Sequence, residues 1–185
     1  MCVIVIGMPG RRPTAESLDL AAGFNPDGFG FAHAKINGNE LSYFRTLEFD
    51  RFMEEFSKIP SNHVVLIHFR FATHGPNIVE NCHPFPLESC VMAHNGVVIN
   101  SPAKLKLQGF ESDSRAFLRV VLKPMEEVDP YVFHLDPSNR RKIMEMAGAG
   151  NKFAFLDILG RVTILGPDWK AFERCFWSNL DFLSG

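Results

Sequence analysis

The sequence predicts an α+β protein built on antiparallel sheet, rather than a doubly wound parallel one. Candidate strands come as neighbouring pairs, with short turn signals at Asn37-Gly38 and Gly160. Helical stretches cluster between those pairs instead of alternating with single strands. Repeats, low-complexity stretches and linkers are lacking, so residues 1–185 are expected to form a single domain.

Cys2–Ile6 is an apolar, mostly β-branched run stopped by Gly7-Met8-Pro9-Gly10, and reads as a buried strand. Gly23–Gly30 (GFNPDGFG) is a turn-rich loop, followed by a strand over Phe31–Ile36. Asn37-Gly38 supplies the positive φ that tight hairpins need and leads into a strand over Glu40–Leu47. Asp50 is the expected cap of a helix over Arg51–Lys58, with Phe52, Phe56 and Ile59 at helical spacing.

Val64–Phe71 reads as a strand with His68 and Arg70 on one face. Thr73–Ser89 is a loop carrying Pro76, Pro84 and Pro86, and Val91–Val98 is a strand interrupted at Asn95-Gly96. A helix starts at Ser112 or Asp113 and runs to about Leu122, and a second covers Ser138–Ala147. Lys152–Asp157 and Arg161–Leu165 form a late hairpin across Gly160.

The chain is 46% hydrophobic and 22% charged, with 18 Phe and a formal net charge of -2. That balance gives no reason to expect a nucleic acid or an anionic membrane as partner. No apolar stretch has the length of a membrane span, and the N-terminal run lacks the basic segment of a signal peptide. Four cysteines without a CxxC pair read as reduced thiols, so a cytoplasmic protein is expected.

Polar residues inside apolar segments carry the chemistry. In HFRFATHG (His68–Gly75), Arg70 either forms an internal ion pair or aims its planar fork at a ligand carboxylate. In MAHNGVVIN (Met92–Asn100), Asn95-Gly96 is either a hairpin turn or a pair of donors for an oxyanion. In SDSRAF (Ser112–Phe117), a helix N-cap is compatible with Asp113 also facing a ligand ammonium. His68, His74, Cys82, His83 and His94 lie within a short span, but their spacing matches no HExxH, CxxC or CxxH pattern, so no metal is expected. GxSxG is absent, and GFNPDGFG has neither a P-loop lysine nor GxGxxG spacing. Cys2 itself is either a small buried hydrophobe or, after loss of Met1, an N-terminal residue with a thiol and a free amine.

Six of these pieces, in this order, resemble the class II glutamine amidotransferase domain of the N-terminal-nucleophile hydrolases. They are Met1-Cys2 before a strand, Asn25-x-Asp27-Gly28-x-Gly30, His68-x-Arg70-x-Ala72-Thr73-x-Gly75, Asn81-x-His83-Pro84-Phe85, His94-Asn95-Gly96 and Ser112-Asp113-Ser114. The DGFG and NxHPF forms look most like the small stand-alone branch. The resemblance implies a four-layer αββα sandwich of two antiparallel sheets between helices. It implies Cys2 as nucleophile with its own α-amine as base, and Asn95 and Gly96 as oxyanion donors. Arg70 would hold a substrate α-carboxylate and Asp113 the α-ammonium, with Thr73 and His74 lining the pocket.

The resemblance implies no cofactor. Its implied substrate is glutamine or another γ-glutamyl amide, with ammonia passing to a separate synthase partner or hydrolysis itself being the function. Val3, Phe71 and Arg115 depart from residues usual in the family, and none of them carries an assigned role. A non-catalytic module that binds glutamine or a partner protein is the alternative.

Overall fold

The computed structural model describes residues 1–98 and 107–184. Ile99 and Asn100, which end the MAHNGVVIN string, lie outside the described residues. The elements are β1 (Val3–Gly7), α1 (Ala15–Phe24), β2 (Phe29–Lys35), β3 (Leu41–Thr46), α2 (Phe49–Ser57), β4 (His63–Phe69), β5 (Phe85–Pro86) and β6 (Cys90–Asn95). Then come α3 (Asp113–Phe117), a π-helical turn (Leu118–Leu122), α4 (Lys123–Val128), α5 (Pro137–Ala147), β7 (Lys152–Asp157), β8 (Val162–Leu165), β9 (Lys170–Phe172) and β10 (Cys175–Trp177).

The strands make a six-stranded sheet, in the order β3-β2-β4-β1-β10-β9, and a four-stranded sheet, β5-β6-β7-β8. Strand pairing is antiparallel throughout both sheets. The period-2 alternation of strands then divides the interior into three layers of side chains. Ile4 and Ile6 of β1, Val64 and Leu66 of β4, and Ala32 and Ala34 of β2 meet Val91, Ala93, Ala154 and Leu156 between the sheets. The alternate residues Val3, Val5, Val65, Ile67 and Phe69 face outward, where Leu18 and Ala21 of α1 and Phe52 and Phe56 of α2 cover them. On the far side Met92, Phe153 and Phe155 pack under Phe117, Leu122 and Ile143. The result is the four-layer αββα sandwich, and burial on both faces explains why the central strands read as nearly continuous apolar runs.

Several local expectations are corrected. Helix α1 was not foreseen, because Leu18, Ala21 and Ala22 make only a short apolar stripe; Thr14 caps it by accepting from Ser17 N–H at 3.2 Å. The cap of α2 is Glu48, without a side-chain bond, and Asp50 sits inside the first turn. The helix begun at Asp113 continues past Leu122 through the π-helical turn into α4. Strand β4 ends at Phe69, although Arg70 still donates its backbone N–H to Gly28 O at 2.8 Å. The hairpin β9–β10 was missed because its turn residues, Glu173 and Arg174, take φ of 51° and 61° without the glycine or asparagine that signals such a turn. Across Gly160, β7 and β8 pair as expected.

Candidate functional site

Cys2 precedes β1, on the side of Ile4 and Ile6, and therefore faces the four-stranded sheet where β6 ends. Its Sγ accepts the backbone N–H of Phe71 at 3.3 Å. Burial pushes the Cys2 thiol above its ordinary pKa; the Phe71 bond and the positive charge of Arg70 pull the other way, while Asp113 adds to the rise. The thiol is thus held protonated, and a nearby base would be needed to activate it.

Arg70 is 3% exposed and lines the same small cleft as Cys2. Its guanidinium donates to Asn77 Oδ1 at 2.9 Å, to the carbonyls of His74 and Gly75 at 3.2 and 3.3 Å, and to Asp27 O at 3.5 Å. Among the described residues no carboxylate lies within ion-pair distance of it. The internal ion pair is therefore not what places Arg70 here. Asp27 holds the same loop through its carboxylate, which accepts from Ala72 N–H at 2.8 Å and Asn77 Nδ2 at 2.7 Å.

Asp113, 6% exposed, opens α3 beside its cap Ser112, whose hydroxyl accepts from Arg115 N–H. The Asp113 carboxylate accepts from Val98 N–H and Ser114 N–H, both at 2.9 Å, and it too has no cation within ion-pair distance among the described residues. Thr73 and His74 are exposed on the rim of the cleft, which also includes Gly96. Asn95 lines an adjoining cleft that shares Cys2, Thr73 and Gly96 and continues past Phe71 and Val97. The residues singled out from the sequence thus converge around Cys2.

Asn95-Gly96 is not a hairpin turn. Strand β6 pairs with β5 and β7, and Asn95, opposite Lys152, is its last residue. Gly96 takes φ 145°, and a Cβ there would sit 2.3 Å from Asn151 Oδ1, so only glycine fits. A similar contact links two of the motifs. A Cβ on Gly28 would meet Cys82 Sγ at 2.3 Å, and one on Gly30 would meet His83 O at 2.0 Å. The DGFG and NxHPF strings therefore pack directly against each other, with no room for a side chain at Gly28 or Gly30.

Behind the cleft lie His68, His83 and His94, all buried. Burial lowers the pKa of each, His68 to about 3. His94 uses both ring nitrogens, on Ser114 Oγ at 2.8 Å and Asn151 Oδ1 at 2.7 Å. His68 Nε2 meets His94 O at 3.1 Å. Neutral, weakly basic imidazoles are poor partners for a thiol that must lose its proton. Among the described residues no three His, Cys, Asp or Glu side chains converge as metal ligands.

Asn151, Ser178 and Asn179 were not foreseen. Asn151 joins His94 to the carbonyls of Ala147 and Gly148. Asn179 Nδ2 donates to Cys2 O at 2.8 Å, and Ser178 Oγ lies 3.0 Å from Asn95 Nδ2. Their separation from the motifs leaves no local spacing to signal them.

No family model matches the chain. An isomerizing glutamine–fructose-6-phosphate aminotransferase from Bradyrhizobium diazoefficiens is 32% identical over 108 residues, covering 54% of this chain and 17% of that enzyme. Among solved structures, the glutamine phosphoribosylpyrophosphate amidotransferase of B. subtilis superposes with a TM-score of 0.54 at 16% identity, over 85% of this chain and 35% of that one. An allosteric regulatory enzyme of purine biosynthesis gives 0.55, also at 16% identity, over 96% and 41%. The chain resembles the class II glutamine amidotransferase domains. With them it shares the α+β sandwich, and it spans well under half the length of each of these relatives. Among the described residues no helix of this amidotransferase-like fold is long and apolar enough to cross a membrane.

Proposed function

We propose that this chain is a glutamine amidohydrolase that uses Cys2 as an N-terminal nucleophile, folded as one amidotransferase-like domain over residues 1–185. The observation that carries it is the pair of buried, unmatched charges at one cleft: Arg70 and Asp113, each satisfied by dipoles alone, beside a thiol. A buried charge without a counter-charge is costly. A zwitterionic amino-acid head group supplies both counter-charges at once, its α-carboxylate to Arg70 and its α-ammonium to Asp113. Thr73 and His74 close the rim over it.

With Met1 attached, the nitrogen of Cys2 is a peptide nitrogen and has no basic lone pair. Its removal frees an α-amine, with a reference pKa of about 7.7–8.0, next to the thiol. The amine takes the thiol proton as sulfur bonds to the side-chain amide carbon of glutamine. The oxyanion is held by Asn95 Nδ2 and Gly96 N–H, each such donor being worth on the order of 3 kcal/mol. As the C–N bond breaks, the ammonium returns its proton and ammonia leaves. Water then attacks the γ-glutamyl thioester, releasing glutamate and the thiol. The ammonia goes to a separate acceptor synthase, or hydrolysis of a γ-glutamyl amide is itself the output. A cytoplasmic setting fits the free state of all four cysteines.

A binding module without catalysis is favoured by a different observation: the Arg70 fork is already engaged by its own loop. Glutaminase turnover by protein whose intact mass lacks Met1, abolished in Cys2→Ala, supports the enzyme. Turnover that persists in Cys2→Ala overturns it, and glutamine binding without turnover in the processed protein favours the module.

A further inference from the structure

The nucleophile and the proposed oxyanion amide belong to different sheets. Cys2 leads into the six-stranded sheet, and Asn95 ends a strand of the four-stranded one. The side chains between the sheets are mostly apolar, with His68 of β4 reaching His94 O of β6. Apolar contacts fix a separation without fixing the rotation of a carboxamide, and the His68 bond does not involve Asn95.

The dipeptide after β10 reaches both. Ser178 N–H donates to Ile4 O and Ile4 N–H donates to Ser178 Oγ, each at 2.9 Å, so Ser178 continues the pairing of β10 with β1. The same hydroxyl accepts from Asn95 Nδ2 at 3.0 Å, and the next side chain, Asn179, holds the carbonyl of Cys2. Ser178 is fully buried, so water does not compete for these bonds. Asn95 Oδ1 is buried with no hydrogen-bond partner, which leaves the Ser178 contact as the one hydrogen bond orienting this carboxamide among the described residues. A carboxamide NH₂ is planar, so pinning one of its hydrogens fixes the direction of the other.

We propose that Ser178 is a positioning residue for the oxyanion amide. Its hydroxyl ties Asn95 to the strand that carries Cys2, leaving the second amide hydrogen aimed where the oxyanion forms. The proposal rests on the amidohydrolase function above. A group that acts only through the oxyanion donor lowers kcat and leaves KM in place.

The test uses the full chain with Met1 removed and glutamine as substrate. Ser178→Ala is expected to lose about tenfold in kcat, less than removal of the donor itself, with KM within about twofold. In an Asn95→Ala background the same change should cost nothing further, because the group it orients is gone. Ser178→Cys, which keeps the size and a weaker hydrogen-bonding group, should fall between. It carries the test by the same kcat and KM criteria if Ser178→Ala does not fold. Wild-type kcat in the Ser178 variants, or losses that multiply in the double variant, overturn the proposal while leaving the amidohydrolase intact. An inactive wild-type protein overturns the amidohydrolase function itself.

Discussion

Strands β6 and β7 run side by side from the Cys90–Asp157 pair at one end to the Asn95–Lys152 pair at the other, and the two ends differ in how they treat charge. At the first, Asp157 is 1% exposed and bonded to Arg161 Nε at 2.6 Å, with His134 Nε2 at 3.5 Å. His134 Nδ1 in turn meets Thr163 Oγ1 at 3.0 Å. A hydroxyl, an imidazole and a carboxylate are thus aligned in an order familiar from hydrolases, yet all three are buried. Burial pushes the Asp157 pKa up, but the nearby His134 ring and the bonds from Arg161 outweigh it and hold the carboxyl below its ordinary value. At the other end Arg70 and Asp113 are equally buried and have only dipoles for company. Matched charge closes a structure; unmatched charge beside a cleft leaves it ready for a ligand.

Substitutions should separate the two ends. The largest effect is expected for Cys2→Ala, a loss of turnover on the order of a thousandfold or more with the thermal midpoint unchanged, read by a glutaminase assay beside calorimetry. Asp157→Ala should do the reverse, costing about 1–3 kcal/mol of stability by leaving the backbone N–H groups of Leu159 and Arg161 without their acceptor, while kcat per folded molecule is retained; urea titration and activity of the folded fraction check it. Arg70→Lys loses the planar fork and should raise KM for glutamine by roughly tenfold to a hundredfold, and Asp113→Asn by about tenfold, both in steady-state kinetics.

The smallest effect is a pH dependence of stability. His68, neutral in the fold with a pKa of about 3, is protonated more readily in the unfolded chain, near the ordinary 6.5. The unfolded state therefore binds more protons across that window, and stability falls as pH drops from about 6.5 toward 3. Between pH 7 and 5.5 this one residue should account for about 1 kcal/mol, measurable as a shift in urea midpoint. A midpoint that does not move would mean the His68 ring is not held neutral.

The central strands were legible because both faces of β1 and β4 are buried, and the late hairpin because its turn contains Gly160. Helix α1 and hairpin β9–β10 were not, since one has few large apolar residues and the other turns on Glu173 and Arg174. Within the site, Arg70, Asp113 and Asn95-Gly96 stood out as polar residues in apolar or cap positions. Ser178 and Asn179 are ordinary in their own neighbourhood, and only the pairing of β10 with β1 and the stacking of the two sheets bring them to Cys2 and Asn95. Asp27 and Asn77 belong to the same class: their bond joins segments whose relation is set by the pairing of β2 with β4.

The engagement of Arg70 by its own loop has a consequence for ligand traffic. The carbonyls of His74 and Gly75 and the amide of Asn77 stand to the guanidinium as a bound carboxylate would. An incoming carboxylate must displace them, so occupancy is an exchange of partners rather than an addition. Affinity then measures a difference between two sets of bonds. Small anions that reach Arg70 without engaging Asp113 should compete poorly.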